Sequence, residues 1–187
     1  MSALVAGVSA YTVLSTLCIA SAAHLSRPSA LSRALTAHRV VPVPLVVAAV
    51  VIASEGLLGG AGAAALVQGD GQELLTAALA GSVVLLVLFG SYGWYVTATG
   101  RDGPCGCSRA PLPMTGWVVA RAFALAGLAL VALVLADSVA PITRPDAVVI
   151  VVLLAAATFT CLLWQLPVAM YDPARNRASA GGGVVHQ

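Results

Sequence analysis

The chain has 187 residues, 60% of them hydrophobic and 9% charged, with a net charge of +2. A water-soluble domain of this size carries roughly a quarter of its residues charged, so a soluble fold is excluded. A mean hydropathy of +0.98 points the same way. All the basic residues are arginines and they form no run, which excludes nucleic acid as a partner.

Five apolar stretches are long enough to cross a hydrocarbon core, which takes about 20 helical residues. They lie near 3–23, 43–67, 74–97, 116–136 and 147–169. The sequence therefore predicts an all-α integral membrane bundle. Residues 1–136 supply a four-helix core, 137–170 add a further transmembrane helix, and 171–187 read as a flexible tail.

The first stretch has no positive n-region and no clear cleavage site after Ala23. It reads as a retained helix and not as a removed signal peptide. The residues after it, 24–42, read as a loop. Pro42 and Pro44 mark the start of the second span, since Pro is tolerated in a helix's first turn. The polar run Gln68-Gly-Asp-Gly-Gln-Glu73 separates the second and third spans. Residues 101–114 hold three Pro and two Gly and form a loop, after which Thr115 is placed to cap the fourth span. The fifth span is expected to stop near Pro167. Small residues recur four apart at Gly56 and Gly60, at Gly59 and Ala63, and at Gly116, Ala120 and Ala124. Such stripes let helix backbones approach closely in lipid.

Arginine placement sets the expected orientation. Arg27, Arg33 and Arg39 follow span one, Arg101 and Arg109 follow span three with Arg121 just inside span four, and Arg175 and Arg177 follow span five. The other side has only Arg144, with Asp70, Glu73, Asp137 and Asp146. The positive-inside rule puts the first group in the cytoplasm and the N-terminus outside the plasma membrane. Whatever the orientation, five spans put the 24–42 loop, the 98–115 loop and the C-terminal tail on one face.

The most specific local feature is Gly103-Pro-Cys-Gly-Cys107. Two Cys separated by one residue close a disulfide only in a small, strained ring, and Gly106 relieves part of that strain. Strained disulfides are oxidising and exchange readily. Arg101 and Arg109 nearby favour a thiolate. Thiol–disulfide exchange is one reading of the pair. A soft-metal site with His24 or His38 is a second, although no other Cys pair completes a zinc set. Unreactive cysteines in a tight turn are the third. Cys18 and Cys161, inside spans one and five, read as small apolar packing residues.

Glu55 is the only acid deep inside a span. An intramembrane carboxylate is a functional candidate by default. Arg121, about one turn into span four, has a side chain long enough to reach toward Glu55 or to snorkel outward. Trp94, Tyr95, Trp117, Trp164 and Tyr171 lie near span ends, where interfacial aromatic belts account for them.

The order of these features resembles the methylamine-utilisation MauE family, a relative of the DoxX-like small membrane proteins. The matching pieces are Ala22-Ala-His24, His38-Arg-Val-Val-Pro42, Glu55-Gly-Leu-Leu, Cys105-Gly-Cys107, and Arg121 within Val118-Val-Ala-Arg-Ala-Phe-Ala-Leu125. They span roughly residues 5 to 135. The resemblance implies work with a thioredoxin-like partner in disulfide formation, as in maturation of the small subunit of methylamine dehydrogenase. It further implies that Cys105 and Cys107 are the exchanging pair, shaped by His24, Glu55 and Arg121; Arg39, beside His38, is a further supporting candidate. Two positions depart from the family: Leu25 follows His24 where a basic residue is common, and Ser108-Arg109 follow the Cys pair in place of Phe-Gly. These departures bear on the substrate.

Two other function classes compete. One is a non-catalytic assembly subunit of a membrane complex. The other is a small transporter or quinone-binding bundle using Glu55, which makes a quinone the only candidate cofactor. No phosphate-binding loop, catalytic triad or HExxH sequence is present, which argues against an ATPase or hydrolase.

Overall fold

A computed structural model of the chain describes residues 1–69, 71–101, 103–106, 113–143 and 146–170, without the side chain at 167. Cys107, Arg109, Arg144, Tyr171, Arg175, Arg177 and the C-terminal tail lie outside the described residues.

The chain is an all-α membrane bundle. Its helices are α1 (Ser2–Ser26), α2 (Pro28–His38), α3 (Pro44–Gln68), α4 (Gln72–Ala98), α5 (Gly116–Val134) and α6 (Ala147–Ala169). All but α2 are long and apolar enough to cross a bilayer. Helices are the form a single segment can take there, because each satisfies its own backbone hydrogen bonds. The protein is thus a multi-pass membrane protein.

Pro44 occupies the first turn of α3, where no intrahelical donor is lost. Thr115 sits at the N-cap of α5, but its side chain makes no capping bond; its carbonyl accepts from the Val118 and Val119 amides instead. Asp146 does cap α6, accepting from the Val149 amide at 2.8 Å. Helix α6 runs on past position 167 to Ala169.

Helix α1 is the central strut. Of its most apolar window 56% is buried, against 22–33% for the other four spans. It packs on α3, α5 and α6, while α4 closes the bundle against α3 and α5. Gly59 allows the closest α1–α3 approach: a Cβ there would lie 2.9 Å from Cys18 Sγ and 3.0 Å from the Cys18 backbone nitrogen. Gly56 and Gly62 face α1 as well, whereas a Cβ on Gly60 meets nothing within 4 Å. The working stripe on α3 is therefore spaced by three, not four. The Gly116, Ala120 and Ala124 stripe faces outward and takes no part in internal packing.

Helix α6 is fastened along α1. Val152 fits against Gly7, and the Ser15 and Thr160 hydroxyls lie 3.0 Å apart. At the far end the Tyr11 hydroxyl donates to the Ala140 carbonyl at 2.9 Å. Leu45, Leu57, Val84, Leu88, Leu154 and Leu162 project outward from the spans, as lipid contact requires.

The segment after α1, expected to be a loop, contains α2. Pro28 stands at its N-terminus and Leu31, Ala34, Leu35 and His38 form its buried face. The spacing is amphipathic, so α2 lies along the bundle end instead of crossing it. That face covers Ala48, Val47 and Val51 in the first two turns of α3.

Candidate functional site

Two polar assemblies share the end of the bundle where α1 and α4 finish and α3 and α5 begin. The first fixes the cysteine loop. The amide of Met114 donates to the Gly103 carbonyl at 3.0 Å, and Pro104 bridges Pro113 in antiparallel fashion. These contacts close the neck of the loop. Its near strand rests on α2. The Gly103 backbone approaches His38 so closely that a Cβ would lie 2.7 Å from Nε2. Gly106 sits over Ala34 with a φ of +73°, a left-handed conformation that disfavours any side chain. Cys105 is buried between them in sequence, 6% exposed.

His38 anchors this contact. It is 2% exposed, and its Nδ1 lies 2.9 Å from the Tyr92 hydroxyl on α4. Its Nε2 faces the carbonyls of Gly103 and Pro104 without completing a well-formed bond to a described residue. The neutral tautomer consistent with both sides carries the proton on Nε2 and accepts from Tyr92 at Nδ1. Burial holds the imidazole below its ordinary pKa of 6.5, while the two carbonyls act in the opposite sense.

Arg101 ties the same pieces together. Its guanidinium donates to the His38 carbonyl at 3.2 Å and the Arg39 carbonyl at 3.1 Å, and stacks 5.5 Å from the Tyr95 ring centre. Arg39 ends α2 with a left-handed φ of 53°. Its side chain is exposed, so its contact with the loop assembly is through its carbonyl.

The second assembly lies deeper. Glu55 stands about one turn below the part of α3 that α2 covers, and is 3% exposed. His24, near the end of α1, brings Nε2 to 3.7 Å from Glu55 Oε2. That separation is an ion-pair distance, longer than a direct hydrogen bond. Arg121 completes the lining of a cavity of about 60 Å³, which also touches Thr16, Phe89 and Trp164. A space of that size holds a few waters. The Arg121 guanidinium lies 5.7 Å from the Trp164 ring centre.

Of the residues singled out from sequence, His24, Glu55 and Arg121 thus line one cavity. Cys105 and Arg39 belong to the loop assembly on the same rim, and Cys107 lies outside the described residues. Glu55 faces His24 at ion-pair distance, and Arg121 stacks on Trp164. Cys18 packs against Gly59, and Cys161 is exposed on α6. Among the described residues no group of three metal-binding side chains comes together.

Tyr92 and Trp164 escape a reading by sequence. Tyr92 stands two and three residues deeper than the belt aromatics Trp94 and Tyr95, and that depth is its only signal. Trp164 looks like a belt residue, and only the fold turns it onto Arg121. The Pro28 start and the Leu31, Leu35, His38 spacing do announce α2.

The family model described as methylamine utilisation protein MauE matches residues 1–136. The chain belongs to the MauE family. The match takes in α1 to α5 and every residue of both assemblies except Trp164, because α6 lies beyond it. Neither a search of curated proteins nor a search of solved structures finds a match.

Proposed function

We propose that this MauE-family protein is a membrane thiol–disulfide redox or maturation component that acts with a thioredoxin-like partner through Cys105 and Cys107. The observation that carries this reading is the anchoring of the Cys105 segment on α2, by Gly103 against His38 and Gly106 against Ala34. A passive surface loop has no need for a buried His–Tyr pair and an Arg clamp beneath it. A sulfur that must meet a partner's sulfur in line gains from fixed geometry.

In the proposed exchange a partner thiolate attacks one sulfur of the Cys105–Cys107 disulfide. That bond breaks and a mixed disulfide forms. The partner's second thiolate then displaces the chain's cysteine, leaving the partner oxidised and the Cys pair reduced by two electrons and two protons. The reverse sequence oxidises the pair. His24, Glu55 and Arg121 are the supporting groups on the same rim.

The arginine distribution favours a cytoplasmic rim, with the N-terminus outside. Arg101 and Arg121 have structural contacts, but Arg27, Arg33 and Arg39 are exposed and still supply the bias. On that side the partner is a cytosolic thioredoxin-like protein. Maturation of an extracytoplasmic client requires the opposite side, and a topology reporter fused after Ser108 distinguishes the two.

The test of the reading is thiol trapping in cells. The Cys105–Cys107 pair should change redox state, and Cys105→Ser should abolish exchange with the partner. Two cysteines that stay reduced and unreactive would overturn it. One observation favours an assembly subunit instead: Gly116, Ala120, Ala124 and Gly127 are exposed along α5, where another helix can approach. In that case Cys-to-Ser variants keep function and the protein co-purifies with fixed partners.

A further inference from the structure

We infer that α6, which lies outside the family match, is a working wall of the polar cavity, and that Trp164 is a positioning residue that holds Arg121 inward. Arg121 lies five residues into α5, about 8 Å from its start. From there its side chain has two destinations. It can snorkel to the headgroup region, as long cationic side chains near a rim do. It can also turn inward to the cavity that His24 and Glu55 line. In the structure it takes the second, with its guanidinium 5.7 Å from the Trp164 ring centre and its side chain on the cavity wall. An indole face is the best aromatic partner for a cation and gains strength where water is scarce. Glu55 lines the same cavity.

The position of Trp164 is itself fixed. One turn before it, Thr160 is buried and its hydroxyl lies 3.0 Å from that of Ser15 on α1. Further along, Val152 is seated against Gly7. These contacts set the register of α6 on the central strut, and so place the indole opposite Arg121. Trp164 then biases an equilibrium between inward and outward Arg121, and its removal shifts the population outward.

The inference rests on the proposed redox function for its activity readout only. The experiment uses the full-length protein in lipid nanodiscs and compares Trp164→Phe with Trp164→Leu. Modification of Arg121 by phenylglyoxal, followed on its peptide by mass spectrometry, should be at least threefold faster in Trp164→Leu than in the parent. Trp164→Phe, which keeps a ring, should fall between them. Thermal unfolding of both variants separates a general loosening of α6 from release of Arg121. Cys-pair exchange should follow the reverse order, fastest in the parent and slowest in Trp164→Leu. Equal Arg121 modification in the parent and both variants overturns the inference, as does a modification rate that follows thermal stability instead of the presence of a ring. Faster modification without any change in exchange supports the positioning role and counts against the redox reading.

Discussion

His38 Nδ1 lies 2.9 Å from the Tyr92 hydroxyl, and the backbone of Gly103 rests on the same imidazole. The pair joins α2, α4 and the cysteine loop at one point. A buried donor or acceptor left without its partner costs about 1–3 kcal/mol. Tyr92→Phe should therefore destabilise the α2 contact by about that amount, and His38→Leu should release the loop outright. A double-mutant cycle should return a coupling of about 1 kcal/mol, and maleimide labelling of Cys105 should accelerate in each single variant. Unchanged labelling in both would show that the pair does not anchor the loop.

The anchor should weaken in mild acid. Burial lowers the His38 pKa below 6.5, so the anchored state prefers neutral imidazole. Above pH 6.5 both the anchored and the released states are neutral, and the stabilisation is fully present. As pH falls below 6.5 the released state takes up a proton first, and stability is lost progressively until the anchored state's own lower pKa is passed. Hydrogen exchange at the Met114 amide, corrected for intrinsic rate, should show this loss. His38→Gln should flatten the profile.

Gly59 and Gly60 are adjacent in sequence and should respond in opposite ways. A side chain at 59 meets the Cys18 backbone, which has no room to yield, while a Cβ at 60 meets nothing within 4 Å. Gly59→Val should cost about 1–3 kcal/mol through forced separation of α1 and α3. Gly60→Ala should stay within about 0.5 kcal/mol of the parent. Steric-trapping or thermal unfolding in micelles measures both.

Glu55→Gln preserves volume and removes the carboxylate facing His24 across 3.7 Å. Cys-pair exchange should slow, because Glu55 is one of the supporting groups on the same rim. Stopped-flow exchange with a reduced thioredoxin-like protein measures the rate. A variant as fast as the parent would leave Glu55 with a packing role alone.

Much of the plan was written in one dimension. Span length answers to the thickness of the hydrocarbon core, so the five spans and the common rim of the 24–42 and 98–115 segments follow from residue counts alone. The family order, His24, Glu55, Cys105, Arg121, was legible in the same way, because motifs are sequence. What only the tertiary structure decided was facing: Gly56, Gly59 and Gly62 toward α1, Glu55 toward His24, Trp164 onto Arg121, and Gly116, Ala120 and Ala124 outward. The reason is the solvent. A helix in water shows its buried side by polar residues on the other, as α2 does. A helix in lipid is apolar on both sides, so no periodicity marks which face packs, and backbone approach and rare polar contacts choose it instead.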